Sequence, residues 1–469
     1  MNLKEIYPEL KLSADILGIS NNSKQIKKNY IYVAIKGRNT NGAKYVDEAI
    51  LNGAILVVSN QNIKTKIPFK KVKNAKEEYI KLLQNFYHYK PDIYTIGITG
   101  TDGKTTTAAL LNNILNLANT SCYIGTNGIN YLNKKIPNQH TTPTPNLLYD
   151  TYHNLKKHQI NDLVMEVSSE AIVDERIYNF KFNGAIFTNL SHEHLNTHKT
   201  MENYFQAKSQ LFRNLDSKDL AIINQDDKYA QLLKTYTKAK IVTYGLNKGL
   251  YQAKNIQLNF NKSKFDVFYK GYYLATFNLP LFGKYNIYNA LAAISYTNEL
   301  GIDLKWIIKG IEEIKPIDGR FMTYSKHNIT GIVDFAHTPN AIKNLLANLN
   351  EFKKGKIILI LGAQGEKDYT KRSQMGLIAT TYADITIFTS EDPKNESIFN
   401  IFYDLTKQIT NHDYYLTLSR QEAIKLAKHI ARANDIILIT GKGNEQTEKI
   451  ANFEFKHNDY QLLKEALDS

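Results

Sequence analysis

"GITGTDGKTTT", residues 97–107, is the stretch on which the fold of this chain turns. The apolar run that leads into it, "IYTIGIT" (93–99), reads as a buried strand, and "TTTAALLNNILNLA" (105–118) reads as the helix that follows. Gly100 and Gly103 let the backbone turn tightly and aim the N–H groups of Thr101, Asp102 and their neighbours into one concavity at a helix N-terminus. Lys104 adds a point charge, and the Thr105 hydroxyl is placed to ligate Mg²⁺. The common spelling G-x-x-x-x-G-K-[ST] needs glycine at 98, where Ile98 stands, so this is a variant. It still predicts a phosphate site, because Gly-Lys-Thr-Thr at a strand–helix junction is more than a plain turn requires.

Working outward, 469 residues predict about three domains. An apolar content of 43% suffices for folded cores. The single Cys122 excludes a disulfide framework or cysteine zinc site and fits a reducing compartment. The N-terminus, "MNLKEIYPELKLS", carries no apolar signal core, and no apolar run reaches 18 residues. A cytoplasmic monomer without a membrane partner is expected. The net charge of +14 is spread along the chain, as in "KTKIPFKKVKNAK" (64–76) and "NLKKHQ" (154–159), with no aromatic-interleaved motif. That predicts solvated lysine faces and no nucleic-acid partner; the basic field would draw in a polyanionic small substrate.

The expected architecture is α/β with three domains. Residues 1–90 hold short elements such as "NYIYVAIKG" and "ILVVSN" and form a small α/β domain. Residues 91–318 form a central parallel sheet of the P-loop ATPase type, from "YTIGIT", "DLVMEVS", "GAIFTNL", "LAIINQDD" and "KIVTYG". Within it, "SKFDVFYKGYYLATFNLP" alternates like an antiparallel hairpin. Residues 319–469 carry "GIVDFAH", "KIILILGAQG", "DITIFTSED" and "DIILITGKG", which predict a Rossmann-like doubly wound sheet.

Several constellations carry chemistry. "MEVSSEAIVDER" (165–176) begins at a strand end, where open α/β sheets bind ligands, so Glu166 is placed to hold a metal beside the phosphates. "FTNLSHEHLNTH" (187–198) invites a zinc reading, but Asn196 and Thr197 break the H-x-H-x-D-H spelling. One histidine helping to hold Mg²⁺ is the better use. "YFQAKSQLF" (204–212) is an amphipathic helix whose composition assigns Lys208 no role.

The order of motifs resembles the Mur ligases, ATP-dependent amide-forming enzymes of peptidoglycan assembly, and within them the member that adds the third peptide residue. The resemblance runs from about residue 20 to 460. It rests on GTDGKTTT, HTTPTP, MEVSS with Arg176, FTNL with HEHL, the Y-x-x-AK-x-x-LF segment, GKYNIYNALAA, DGR, VDFAHTPNA, GAQGEKD with KRSQMG, EDPKNE and GKGNE.

The resemblance implies that Gly100, Thr101, Asp102, Gly103, Lys104, Thr105 and Thr106 hold the ATP phosphates. It further implies that Thr105 and Glu166 bind one Mg²⁺, and that His194 and a carbamylated Lys208 serve a second. Asn286 and Asn289 resemble adenine-side contacts. Arg320 and Asp334 resemble residues that reach ATP from the third domain, and His337 of VDFAHTPNA is implied in catalysis. For UDP-N-acetylmuramoyl-dipeptide, Ser23, Asn41 and Gly42 match the uridine end, and Thr141, Thr142, Ser168 and Arg176 the muramoyl-dipeptide end. For the free amino acid, the matching positions are Lys367, Glu391, Asp392, Lys394, Gly441 and Glu445.

The chain departs from the family pattern at Asp102, Glu170, Asp174, Glu193, Asn196, Lys367 and Asn444, mostly with charge or polarity kept. The implied reaction phosphorylates the γ-carboxylate of D-glutamate, and an amine then displaces phosphate. Members that use meso-diaminopimelate resemble one another in a D-N-P-R segment, whose arginine forks onto the distal carboxylate. Here Glu391-Asp392-Pro393-Lys394 puts two acids there, which suits a distal ammonium and favours L-lysine. Lys394 argues for meso-diaminopimelate, and ornithine also remains open. The rival classes are another nucleotide enzyme, such as a P-loop kinase or folate-type polyglutamate ligase, and a non-catalytic binding subunit on the same scaffold.

Overall fold

The computed structural model describes residues 1–10, 13–37, 40–410 and 413–469. The run before the glycine loop is strand β1 (Tyr94–Thr99), and helix α1 (Lys104–Ala118) follows it. Strands β2 (Asp162–Glu166) and β3 (Gly184–Phe187) flank β1 on either side, both parallel to it. The segments that leave β1, β2 and β3 therefore emerge at one carboxyl edge, which gathers the glycine loop, Glu166 and the 188–195 segment. Helices α2 (Met201–Arg213) and α3 (Lys284–Glu299) complete the frame of the site.

These strands lie inside an eleven-stranded sheet whose centre is parallel and whose ends are antiparallel. Burial on both faces explains the near-continuous apolar runs. Ile96 and Ile98 face Leu110, Leu111 and Ile114 of α1 and Ala290 and Ile294 of α3. Met165 and Phe187 face the opposite side, with Phe205 and Phe212 of α2. The predicted hairpin is present as Lys262–Tyr269 against Tyr272–Leu279. Sequence reading did not single out the third strand beside it, Tyr251–Asn259, or the Gly128–Tyr131 and Lys134–Ile136 pair. Polar residues interrupt those segments and weaken their period.

The C-terminal sheet has β4 (Ile329–Asp334), β5 (Ile357–Leu361), β6 (Ile385–Phe388) and β7 (Ile436–Thr440) in the parallel order β4-β7-β5-β6. Helix α4 (Pro339–Asn350) follows β4. In such sheets ligands sit outside the carboxyl ends of the strands. Those ends face the glycine loop. The N-terminal four-stranded parallel sheet runs from Gly18–Ser20 to Phe69–Lys71 and shares one apolar cluster with the central sheet, for example Ile31 and Leu56 with Tyr149 and Leu163. Among the described residues, no helix is long and apolar enough to cross a membrane.

Asp162, the first residue of β2, is buried with Asn119 as its side-chain partner at 3.4 Å. Burial pushes its carboxyl up to about 6. A folded-state value above the unfolded one stabilises only while the group is protonated, so this contribution is lost as pH rises from about 4 through 6. Asp162→Asn should therefore raise the thermal midpoint at pH 8, by the equivalent of about 1–3 kcal/mol. Melts at pH 4.5 should show almost no gain; equal gains at both values would refute the burial account.

Candidate active site

Gly103 enters α1 at φ 85, in the left-handed region, and a Cβ there would stand 2.4 Å from Asn289 Oδ1. Lys104 Nζ donates to the carbonyls of Gly100 (2.9 Å) and Thr101 (2.8 Å), which braces the loop from within. The residues after β3 brace it from outside. Thr188 Oγ1 and Asn189 Nδ2 donate to the Asp102 carbonyl at 2.7 and 3.1 Å, and the Asp102 N–H donates to Asn189 Oδ1 at 3.0 Å.

Glu166 is fully buried at the end of β2. Its Oε1 accepts from Tyr123 Oη (2.5 Å) and the Thr126 N–H (3.0 Å), and its Oε2 from Thr105 Oγ1 (2.9 Å). The sequence reading found Thr105 and Glu166 but missed Tyr123 and Thr126, which bear no motif. Arg320 comes from the C-terminal side: Nη2 donates to Thr105 Oγ1 at 3.2 Å, and its guanidinium lies 4.7 Å from the Phe335 ring centroid. Asp334 accepts the N–H groups of Phe321 and Ala336, both at 2.8 Å, and burial raises its carboxyl.

Lys208 lies beneath the loop on α2. Its Nζ donates to the Gly100 carbonyl at 2.7 Å and stands 4.6 Å from the Tyr204 ring centroid. Burial, then the Lys104 charge, holds its ammonium well below the usual lysine range. His194 Nδ1 lies 3.7 Å from Glu170 Oε1, and burial followed by the Lys208 and Lys104 charges keeps its ring neutral. Burial and Lys371 push His337 down to about 3. Its Nδ1 donates to the Phe335 carbonyl at 2.9 Å, which leaves Nε2 as an acceptor.

A cavity of about 1540 Å³ runs between the central and C-terminal sheets. A single small-molecule site holds roughly 300–1,000 Å³, so this one has room for more than one substrate. Thr101 through Thr106, Glu166, His194, Asn286, Asn289, Arg320, Asp334 and His337 all line it. So do Thr141, Ser168 and Arg176 at one side, and Lys367, Glu391, Asp392 and Glu445 at another. Arg176 Nη1 donates to the Thr142 carbonyl at 3.2 Å, and Thr142 Oγ1 donates to the Glu166 carbonyl at 2.9 Å.

Some predicted residues stand behind the wall or apart from it. Gly100, Thr142 and Lys208 back the loop, and Lys394 and Gly441 back the amino-acid end. Ser23, Asn41 and Gly42 belong to two short helical turns that connect strands of the N-terminal sheet. There Ser23 Oγ donates to Glu48 at 2.5 Å, and Asn41 exchanges bonds with Gln61 at 2.9 and 3.0 Å. The two asparagines of α3 tie helices together: Asn289 accepts from Thr107 Oγ1 (3.3 Å) and donates to Asn286 (3.0 Å), which donates to the Phe282 carbonyl (2.9 Å).

With this geometry in hand, comparison with known proteins is informative. The Mur ligase middle domain matches residues 98–297, and the domain described as Mur ligase, glutamate ligase domain matches 319–443. The chain belongs to the Mur ligase family. It is 35% identical over 486 residues to the UDP-N-acetylmuramoyl-L-alanyl-D-glutamate–2,6-diaminopimelate ligase of Clostridium tetani, covering 100% of this chain and 99% of that one. A solved structure of a ligase with that same description is 27% identical, with a TM-score of 0.66 over 100% of this chain and 99% of that one. MurF ligase from Thermotoga maritima in complex with ADP shares the fold, with a TM-score of 0.69 at 17% identity over 96% and 97% of the two chains. This Mur ligase is thus an ATP-dependent, ADP-forming acid–amino-acid ligase of peptidoglycan synthesis.

Asp102, Glu170, Glu193, Lys367 and Asn444 are five of the residues in which this Mur ligase departs from the family pattern. They have partners across the gap between the central and C-terminal sheets, as do neighbouring residues, whereas Asp174 pairs locally with Arg176. Asp102 accepts from Thr338 Oγ1, the N-cap of α4, at 3.2 Å. Glu193 pairs with Lys371 at 2.9 Å, and Lys371 also donates to the His337 carbonyl at 2.7 Å. The Leu195 N–H donates to Asp368 at 2.9 Å, and His192 meets Thr370 at 2.9 Å. Lys367 lies 3.9 Å from Glu170, and Asn444 Nδ2 donates to Asn127 at 3.3 Å. Sequence reading had no signal for these pairs, since each joins residues far apart in the chain.

No group of three or more His, Cys, Asp or Glu side chains that could hold a metal occurs among the described residues. What exists is a hydroxyl and a carboxylate in contact, Thr105 and Glu166, opening onto the cavity. Hard oxygen donors of this kind, few in number, fit Mg²⁺, which keeps its waters and takes substrate phosphates as further ligands.

Proposed function

We propose that this ligase joins meso-diaminopimelate to the D-glutamate γ-carboxylate of UDP-N-acetylmuramoyl-L-alanyl-D-glutamate. The observation that carries the choice of amino acid is the pairing of Asp392. Its carboxylate accepts from Lys442 Nζ at 2.9 Å and from the Lys449 N–H at 2.8 Å. The preference for L-lysine rested on two acids in this segment, and of these Asp392 already has cationic and backbone partners. Glu391 is buried, its Oε2 has no hydrogen-bond partner among the described residues, and burial pushes its carboxyl up to about 7. It suits an incoming ammonium. Nearby, the Lys394 ammonium is held below the usual lysine range by burial and then by the Lys367 charge, and Lys449 adds a third cation. Glu366 and Asp392 also stand beside Lys394; a cation within this mixed group suits a distal carboxylate, which L-lysine and ornithine lack. The diaminopimelate named in the relative's description supports the same choice.

In this reading the loop from Gly100 to Thr106 and the N-terminus of α1 bind the ATP phosphates, with Lys104 and Arg320 facing the transferred group. Mg²⁺, held by Thr105 and Glu166, would neutralise charge on the phosphate oxygens. His194 and a carbamylated Lys208 would serve a second ion. A γ-carboxylate oxygen of the substrate attacks the γ-phosphorus, the bond to the bridging oxygen breaks, and ADP leaves. The neutral amine then attacks the acyl carbon, the C–O bond to phosphate breaks, and the nitrogen loses its proton. Arg176, Ser168 and Thr141 steady the muramoyl-dipeptide, and residues 1–90, with Ser23, Asn41 and Gly42, take the uridine end.

Side-by-side kcat/KM values for meso-diaminopimelate, L-lysine and L-ornithine test this. A preference for meso-diaminopimelate of at least about tenfold is expected, equivalent to ~1.4 kcal/mol of transition-state binding. A preference for L-lysine would overturn the choice while leaving the ligase reading intact.

A further inference from the structure

Arg420, the first residue of helix α5 (Arg420–Ile430), is buried, and so is Asp459 at the start of α6 (Asp459–Asp468). Their contact is bidentate: Arg420 Nε and Nη2 donate to the two Asp459 oxygens, each at 2.8 Å, and His457 meets the same carboxylate at 2.8 Å. Stability alone does not account for such a pair, because apolar residues of similar volume often serve as well. The other donors are informative. Arg420 Nη2 also donates to the Thr440 carbonyl, and Nη1 to the Ser390 carbonyl at 3.4 Å. Thr440 ends β7 and Ser390 follows β6; β5 runs between these strands, so no ladder hydrogen bond joins them. Each carbonyl immediately precedes a segment of the amino-acid end, 391–394 or 441–445. Glu391 lies between two glycines of these strand ends. A Cβ at Gly362, just after β5, would stand 2.5 Å from Glu391 Cβ, and one at Gly441 would stand 2.0 Å from Glu391 Oε2.

We propose that Arg420, fixed by Asp459, is a positioning residue for the amino-acid substrate: its guanidinium sets the spacing of the two strand ends that seat Glu391 and turns a positive charge toward that carboxylate. The close glycine contacts leave the carboxylate no slack, so a shift of Ser390 against Thr440 moves it. Burial raises the Glu391 carboxyl; Arg420 is the leading charge that opposes this, then Lys442 and Lys371, while Glu445 acts the other way. The inference rests on the reading that Glu391 receives an ammonium of the incoming amino acid.

Initial rates with meso-diaminopimelate across about pH 6–9, for wild type, Arg420→Lys and the apolar pair Arg420→Met/Asp459→Leu, test it beside melting curves. Both variants should raise the meso-diaminopimelate KM at least about tenfold and leave the ATP KM within about twofold of wild type. Glu391 must be ionised to take an ammonium, so kcat/KM for the amino acid rises with pH through its titration. That acid limb should move up by about one pH unit in the apolar pair and stay in place in Arg420→Lys, which keeps the charge. The substrate's own ionisations are common to all three enzymes, so a displaced limb reports the protein. A normal KM or an unmoved limb in the folded apolar pair overturns the proposal, as does an equal rise in the ATP KM, which would mark a general loosening. If the pair fails to fold, Arg420→Lys decides by the same two KM values. Glu391→Gln separates the two readings. If it leaves the meso-diaminopimelate KM unchanged, the reading of Glu391 itself falls; if it raises that KM while the Arg420 variants do not, only the role of Arg420 falls.

Discussion

Replacing Lys104 with alanine should lower amino-acid-dependent ADP formation at least about 100-fold. Removing one preorganised donor from a site of developing charge costs roughly 10²–10³ in kcat, about 3–4 kcal/mol. The lysine sits where α1 begins, and its Nζ is held 2.9 and 2.8 Å from two loop carbonyls, so little reorganisation is needed to meet phosphate. The same bonds predict a small structural cost. The Gly100 carbonyl keeps Lys208 Nζ as a donor at 2.7 Å, and water can take over the Thr101 carbonyl at the cavity wall, so the thermal midpoint should fall only slightly. A coupled ADP assay run beside a melting curve checks both parts. Retention of more than about a tenth of the wild-type rate would sink the phosphate-clamp role.

Lys208→Ala should be nearly as damaging, again about 100-fold, for a different reason. Lys208 is buried, and its ammonium is held well below the usual range, so the neutral amine is accessible at ordinary pH. A neutral Nζ can add to CO₂, forming an N–C bond and losing a proton to give an anionic carbamate. Two oxygens would then stand where the bare side chain offers only a donor to the Gly100 carbonyl. The alanine variant should regain part of its rate in added formate or acetate, whose oxygens replace those of the carbamate. Loss of activity without any such rescue would mean that Lys208 acts only as a brace beneath the loop.

The parallel centre of the main sheet was legible because its strands are buried on both faces. "YTIGIT" and "KIVTYG" coincide with observed strands residue for residue. The loop was legible for a related reason: Gly103 has to adopt a positive φ against Asn289, and the charge and hydroxyl that follow are adjacent in sequence. Peripheral strands such as the nine-residue Tyr251–Asn259 were not, because half-exposed polar positions dilute the alternation.

The sequence by itself therefore determined the α/β class, the glycine loop and the order of the motifs, all of which depend on residues near one another in the chain. The tertiary structure alone decided which side chains share an environment. It joined Glu166 to Tyr123 and Asp102 to Thr338, paired Asp392 with Lys442 across 50 positions, and left a Glu391 oxygen without a hydrogen-bond partner among the described residues. The reason is physical: a charge or hydroxyl acquires its chemistry from desolvation and from its partners. Both are set by strand register and domain contact, to which one-dimensional spacing is blind.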